Sequence, residues 1–148
     1  VDYPDFDEER RIIRKSARTA PPEKLKPVIN ADQVLDAQKT IDDIYVDEKV
    51  EEYVLNLVFA TRDPALYHLD DLSNLIEFGA SPRASINLIL ASKARAFIEG
   101  RGYITPEDVR YIGMDVLRHR VILTYEAEAE EIYPEDIIKR LFESIEIP

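Results

Sequence analysis

The sequence contains no cysteine, which excludes disulfides, thiolate zinc sites and cysteine nucleophiles and fits a reducing compartment. It has no apolar run of membrane-spanning length, and Val1-Asp2-Tyr3-Pro4 has none of the features of a signal peptide. Basic residues are in the minority: 19 Lys and Arg stand against 30 Asp and Glu, a net charge of −11 spread along the chain. Nucleic acid and anionic membrane surfaces both demand a basic footprint, so neither is expected as a partner, and a cytoplasmic location is. Catalytic motifs are missing as well. There is no Gly-x-x-x-x-Gly-Lys-[Ser/Thr] phosphate loop, no Gly-x-Gly-x-x-Gly, no His-Glu-x-x-His and no serine-nucleophile elbow. The two histidines, His68 and His119, lie far apart, and His119 stands between Arg118 and Arg120, so no metal site is expected. Carboxylate pairs such as Asp42/Asp43, Asp70/Asp71 and Glu130/Glu131 read as solvated helix surface.

What is present is helical periodicity. The 148 residues suit a single domain of the all-α class, with about six helices and at most one short extended segment. Asp5 starts the first helix with Glu8 reaching back as in a capping box, and Ile12 and Ile13 are expected on its buried side. A proline-interrupted loop over 19–27 follows. Asn30 and Gln33 give the next start signal, flanked by Ile29 and Val34 as a hydrophobic staple, for a helix reaching about Tyr45. From Asp47, the positions Val50, Tyr53, Val54, Leu57 and Val58 recur at i, i+3, i+4 spacing, and this helix should end near Arg62-Asp63-Pro64. Thr105-Pro106-Glu107-Asp108 combines a cap, a first-position proline and first-turn acids ahead of Val109, Ile112, Val116 and Leu117. Residues 121–125 suit a short strand or connector, and 126–131 a solvated acidic face. Pro134 opens the last helix, with Ile137, Ile138, Leu141, Phe142 and Ile145 as its stripe.

The stretch Gly79-Ala80-Ser81-Pro82-Arg83-Ala84 carries the strongest chemical signal. Gly79 suits a sharp backbone entry, Ser81 an N-cap and Pro82 the first helical position. The helix over 81–99 has apolar residues around most of its circumference, with Ser85, Ser92, Arg95 and Glu99 as its polar stripe, so it is expected to be central and mostly buried. An arginine in its first turn faces the positive end of the helix dipole, which costs a few tenths of a kcal/mol. Arg83 therefore calls for an anion: a phosphate, which suits both an arginine and a helix start, or a nearby carboxylate such as Glu77. Arg62 and Arg118-His119-Arg120, at helix C-termini, are read as structural, with a subunit or nucleotide contact as the alternative.

Taken in order, Tyr3-Pro4 ahead of an acidic helix start, Tyr45-Val46-Asp47-Glu48-Lys49-Val50 running to Ala60-Thr61-Arg62, the Gly79–Ala84 stretch, Gly100-Arg101-Gly102-Tyr103-Ile104-Thr105-Pro106-Glu107-Asp108-Val109 and Val116-Leu117-Arg118-His119-Arg120 resemble the C-terminal helical lid of the MoxR family of AAA+ ATPases. The resemblance covers essentially the whole chain. It implies a lid domain over residues 1–148, with residues 1–4 as the connection from a core domain, working in a chaperone-like ring ATPase. Arg83 would match the sensor-2 arginine that reaches ATP phosphates, and Tyr3 and Pro4 would lie near adenine. ATP and Mg2+ would be held chiefly by the core domain, whose phosphate loop and acidic motif this sequence does not contain, so the chain alone should be inactive and bind neither tightly. Starting at Val1, it is expected to be part of a larger protein. Implied partners are its own core domain, neighbouring subunits of a homo-oligomeric ring and a client protein. The alternative is a free-standing acidic helical interaction module in which Arg83 serves only as a salt-bridge residue.

Overall fold

The computed structural model describes residues 3–19 and 25–148. Internal contacts divide the chain into two units, Val1–Val34 and Leu35–Pro148. In the first unit, α1 (Phe6–Ser16) begins as expected: Asp5 Oδ1 accepts the Glu8 amide at 2.8 Å, and Glu8 Oε2 accepts the Asp5 amide at 3.1 Å. Ile12 and Ile13, expected to be buried, are 51% and 58% exposed, and no residue of α1 is buried. An apolar stripe records what a helix can bury, and a unit of this size cannot enclose a core by itself. The loop expected over 19–27 falls largely outside the described residues. The Asn30/Gln33 signal also holds, as reciprocal bonds of 2.8 and 2.9 Å opening α2 (Ala31–Asp42), which starts in the first unit.

In the second unit, α2 stops at Asp42 instead of Tyr45. Tyr45 is drawn into an extended pairing: its amide donates to the Gly102 carbonyl at 2.9 Å and its carbonyl accepts the Ile104 amide at 3.1 Å. Then come α3 (Glu48–Ala60), two 3-10 turns (Pro64–Tyr67 and Asp70–Leu72), β1 (Ile76–Phe78), α4 (Pro82–Ile98), α5 (Pro106–Leu117), β2 (Ile122–Leu123), α6 (Tyr125–Ala129) and α7 (Pro134–Ser144). The described residues thus hold seven α-helices, mainly α as expected, with one small antiparallel pair, β1 with β2. β1 was not foreseen, since three residues display no period. Residues 126–131, expected as a solvated face, contribute to α6, whose start Thr124 Oγ caps at 3.3 Å while Ala127 is buried.

The core lies among α3, α4, α5 and α7. The predicted stripes of α3 and α7 are buried throughout. Gly113 on α5 makes room for the Phe142 ring of α7, since a β-carbon there would lie 2.3 Å from Cζ. The expectation for α4 needs correction. Only Ala84, Leu88, Ser92 and Ala96 are buried, one row four residues apart, while Ile86, Leu90 and Ile98 are 57%, 47% and 80% exposed. Ser92, assigned to the polar stripe, is wholly buried. Three of the four residues in the row are small, so α4 packs closely and its bulkier residues are left on the outer face.

Candidate functional site

The entry to α4 is built on the end of α3. Thr61, fully buried, donates its hydroxyl to the Val58 carbonyl at 2.6 Å and accepts the Ala80 amide at 2.9 Å. Arg62 Nε donates to the Ala80 carbonyl at 2.7 Å, and its guanidinium lies 4.8 Å from the centre of the Phe59 ring. Both peptide groups of Ala80 are therefore tied to α3. Gly79 permits this approach: a β-carbon there would lie 2.4 Å from the Thr61 carbonyl oxygen and 2.8 Å from Arg62 Cα. Close approach, and not a left-handed turn, explains this glycine, because the only glycine with positive φ among the described residues is Gly100. We expect Gly79→Ala to cost about 1–3 kcal/mol, since the overlap is with backbone that cannot rotate away. Thermal melting of the chain should register this as a drop of several degrees.

Ser81 then takes the N-cap position with extended backbone (φ −74°, ψ 168°), and its carbonyl accepts the Ala84 amide at 2.8 Å. Its hydroxyl makes no cap bond, so the sequence is right about the position and wrong about the side chain. Pro82 occupies the first turn as expected. Arg83 is exposed, and no ion pair joins it to Glu77 or to any other carboxylate among the described residues. An unpaired guanidinium at an uncapped, positive helix end can grip a multi-oxygen anion. Tyr3, 99% exposed, and Pro4 precede α1 in the other unit.

Of the basic run after α5, Arg118 and Arg120 both make contacts within the domain. Arg118 pairs with Asp115 and, at 3.8 Å, with Glu135, while Arg120 donates to the Val116 carbonyl at the end of α5. Among the described residues no cluster of His, Asp or Glu could hold a metal, and no helix is long and apolar enough to cross a membrane.

A second charged cluster escaped sequence reasoning. Asp108, 1% exposed, accepts Arg101 through both of its oxygens at 2.6 and 2.9 Å, Arg95 Nε at 3.1 Å, and the Thr105 amide and hydroxyl at 2.9 and 3.1 Å. Arg95 also stacks on Tyr111, 3.4 Å from the ring centre. Burial pushes the Asp108 carboxyl up, but the bonds from Arg101 and Thr105 outweigh it and leave its pKa below the usual carboxylate value. Asp108 is a capping residue, as its position suggests, but it also buckles the last turn of α4 to the first turn of α5. The two arginines flanking Gly100 were the available signal.

This arrangement of helices with one small antiparallel pair is that of an AAA lid domain. The family model for the AAA lid domain matches residues 71–141, just under half of the chain, and that stretch belongs to the family. Within it the chain is MoxR-like. It is 39% identical over its full 148 residues to the chaperone MoxR1 of Mycobacterium tuberculosis, covering 39% of that protein's length. It is 35% identical to the protein MoxR of Methylorubrum extorquens over an alignment of 111 positions that covers 71% of this chain and 32% of that one. The crystal structure of a Cytophaga hutchinsonii protein, classed provisionally as an ATPase, superposes with a TM-score of 0.95 at 36% identity, covering all of this chain and 45% of the other. The chain thus spans about two-fifths or less of the length of these MoxR relatives.

Proposed function

We propose that this domain closes over ATP as the lid of a MoxR-type AAA+ ATPase, with Arg83 contacting the phosphates. The observation that carries this reading is an arginine left without a partner at an uncapped helix start, inside a lid fold. An AAA+ core domain would supply the phosphate loop and hold Mg2+, and Tyr3 and Pro4 would lead from that core past the adenine. Neighbouring subunits of a homo-oligomeric ring would complete the nucleotide site, and the assembly would act in the cytoplasm on a client protein in chaperone-like fashion.

One arginine and a helix end cannot replace the backbone cradle and metal that hold a triphosphate in such enzymes. The purified chain should therefore show no ATP turnover, whereas the full-length ATPase carrying it should. Deleting the lid from that protein should lower turnover sharply. Unchanged turnover without the lid would refute the proposal.

A further inference from the structure

We infer that Thr61 and Arg62 are positioning residues for Arg83, setting where its guanidinium stands when the lid meets nucleotide. The inference rests on the role proposed above for Arg83. Its own basis is the geometry of the entry to α4. Ala80 lies three residues before Arg83, and α4 begins two residues after it, at Pro82. Nothing caps the helix through a side chain, so the backbone that enters α4 ahead of Arg83 is held by what fixes Gly79 and Ala80.

Three contacts hold them, all from the end of α3. The Thr61 hydroxyl fixes the Ala80 amide at 2.9 Å and is itself oriented by donating to Val58 at 2.6 Å. Arg62 Nε fixes the Ala80 carbonyl at 2.7 Å. The Thr61 carbonyl fills the space beside Gly79 where a β-carbon would stand. Since Thr61 is fully buried, it can touch nucleotide only through this chain of contacts. Arg62 is exposed, but its Nε–H is spent on Ala80. Small displacements of a charge-stabilising group are expensive: a misplacement of about 1 Å can cost up to a hundredfold in rate.

The test is a double-mutant cycle in the full-length ATPase. Thr61→Val removes the hydroxyl at constant shape, Thr61→Ser keeps it, and Arg62→Met keeps an unbranched apolar chain while removing the Nε donor and the guanidinium beside Phe59. We expect Thr61→Val and Arg62→Met each to lower kcat on the order of tenfold. Thr61→Ser should retain most activity, and both losses should largely vanish in an Arg83→Ala background. Because Arg62 is exposed, its variant tests the inference even if Thr61→Val fails to fold. Equal losses with and without Arg83, or no loss in Arg62→Met, would overturn the positioning role. If Arg83→Ala alone changes neither turnover nor ATP affinity, the proposed role of Arg83 fails instead, which is a distinguishable result.

Discussion

Replacing Arg83 with alanine should lower ATP hydrolysis by the full-length protein about a hundredfold while leaving the lid's melting temperature nearly unchanged. The two halves of this expectation have separate causes. In the domain, Arg83 is exposed and unpaired, so its loss removes no packing and relieves a slightly unfavourable charge at the helix start, and the change in stability should stay within about 0.5 kcal/mol. In a closed nucleotide site, the guanidinium would face phosphate oxygens in a partly desolvated cleft, where losing one positioned donor costs about 3 kcal/mol in the transition state. Arg83→Lys should rescue only part of the rate, because an ammonium cannot grip two oxygens at once. ATP turnover and thermal melting measured on wild type and both variants decide the matter. Unchanged turnover in the alanine variant would reduce Arg83 to a surface residue.

The largest loss of stability is expected from Asp108→Asn. An amide of the same shape keeps one acceptor oxygen, but its NH2 group would stand where Oδ2 now accepts Arg101 and the Thr105 amide, donor against donor, and two guanidinium groups would lose their counter-charge. Removing one partner of a buried pair is strongly destabilising. Here Arg95 and Arg101 are 26% and 27% exposed and can recover some hydration, so we expect about 2–3 kcal/mol. That corresponds to a fall in melting temperature of roughly 10 °C.

The pH dependence gives an independent check. Because the folded-state pKa of Asp108 lies below its unfolded value, its contribution is complete above the unfolded value of about 3.9. It is then lost as pH falls through the lower folded value. Melting curves of wild type and Asp108→Asn should therefore differ most near neutrality and converge in acid. A constant gap down to the lowest accessible pH would show that the carboxylate charge is not what matters.

The sequence revealed the fold best where one local interaction decides the outcome. The reciprocal caps at Asp5 and Asn30, and the single-faced stripes of α3 and α7, involve residues three or four apart, and they appear in the structure as predicted. Burial on α4 was misjudged because hydropathy counts apolar residues around a helix but does not say which face the neighbours approach. There, small Ala84, Ser92 and Ala96 went inward and Ile86, Leu90 and Ile98 outward. Helix electrostatics placed Arg83 in the first turn of α4 and called for an anion there, but left a pairing with Glu77 open; that Arg83 stands unpaired is seen only in the structure. The clasp at Thr61 and Arg62 could not be anticipated, since it joins residues 18 and 19 positions apart. The same holds for the buckle at Asp108, which gathers Arg95, Arg101 and Thr105 across the Gly100 turn.

The row of Ala84, Leu88, Ser92 and Ala96 has a mechanical consequence. It runs nearly the whole of α4, which at 17 residues is about 25 Å long, and the Asp108 buckle ties the far end to α5. Such a helix behaves as a rigid beam with Arg83 near one end and Ile98 at the other. A tilt of about 5° imposed at the arginine displaces the Ile98 end by roughly 2 Å over a beam of that length. If the lid moves as proposed above, such a tilt would emerge where Ile98, 80% exposed, projects from the surface, with α5 carried along through the Asp108 buckle.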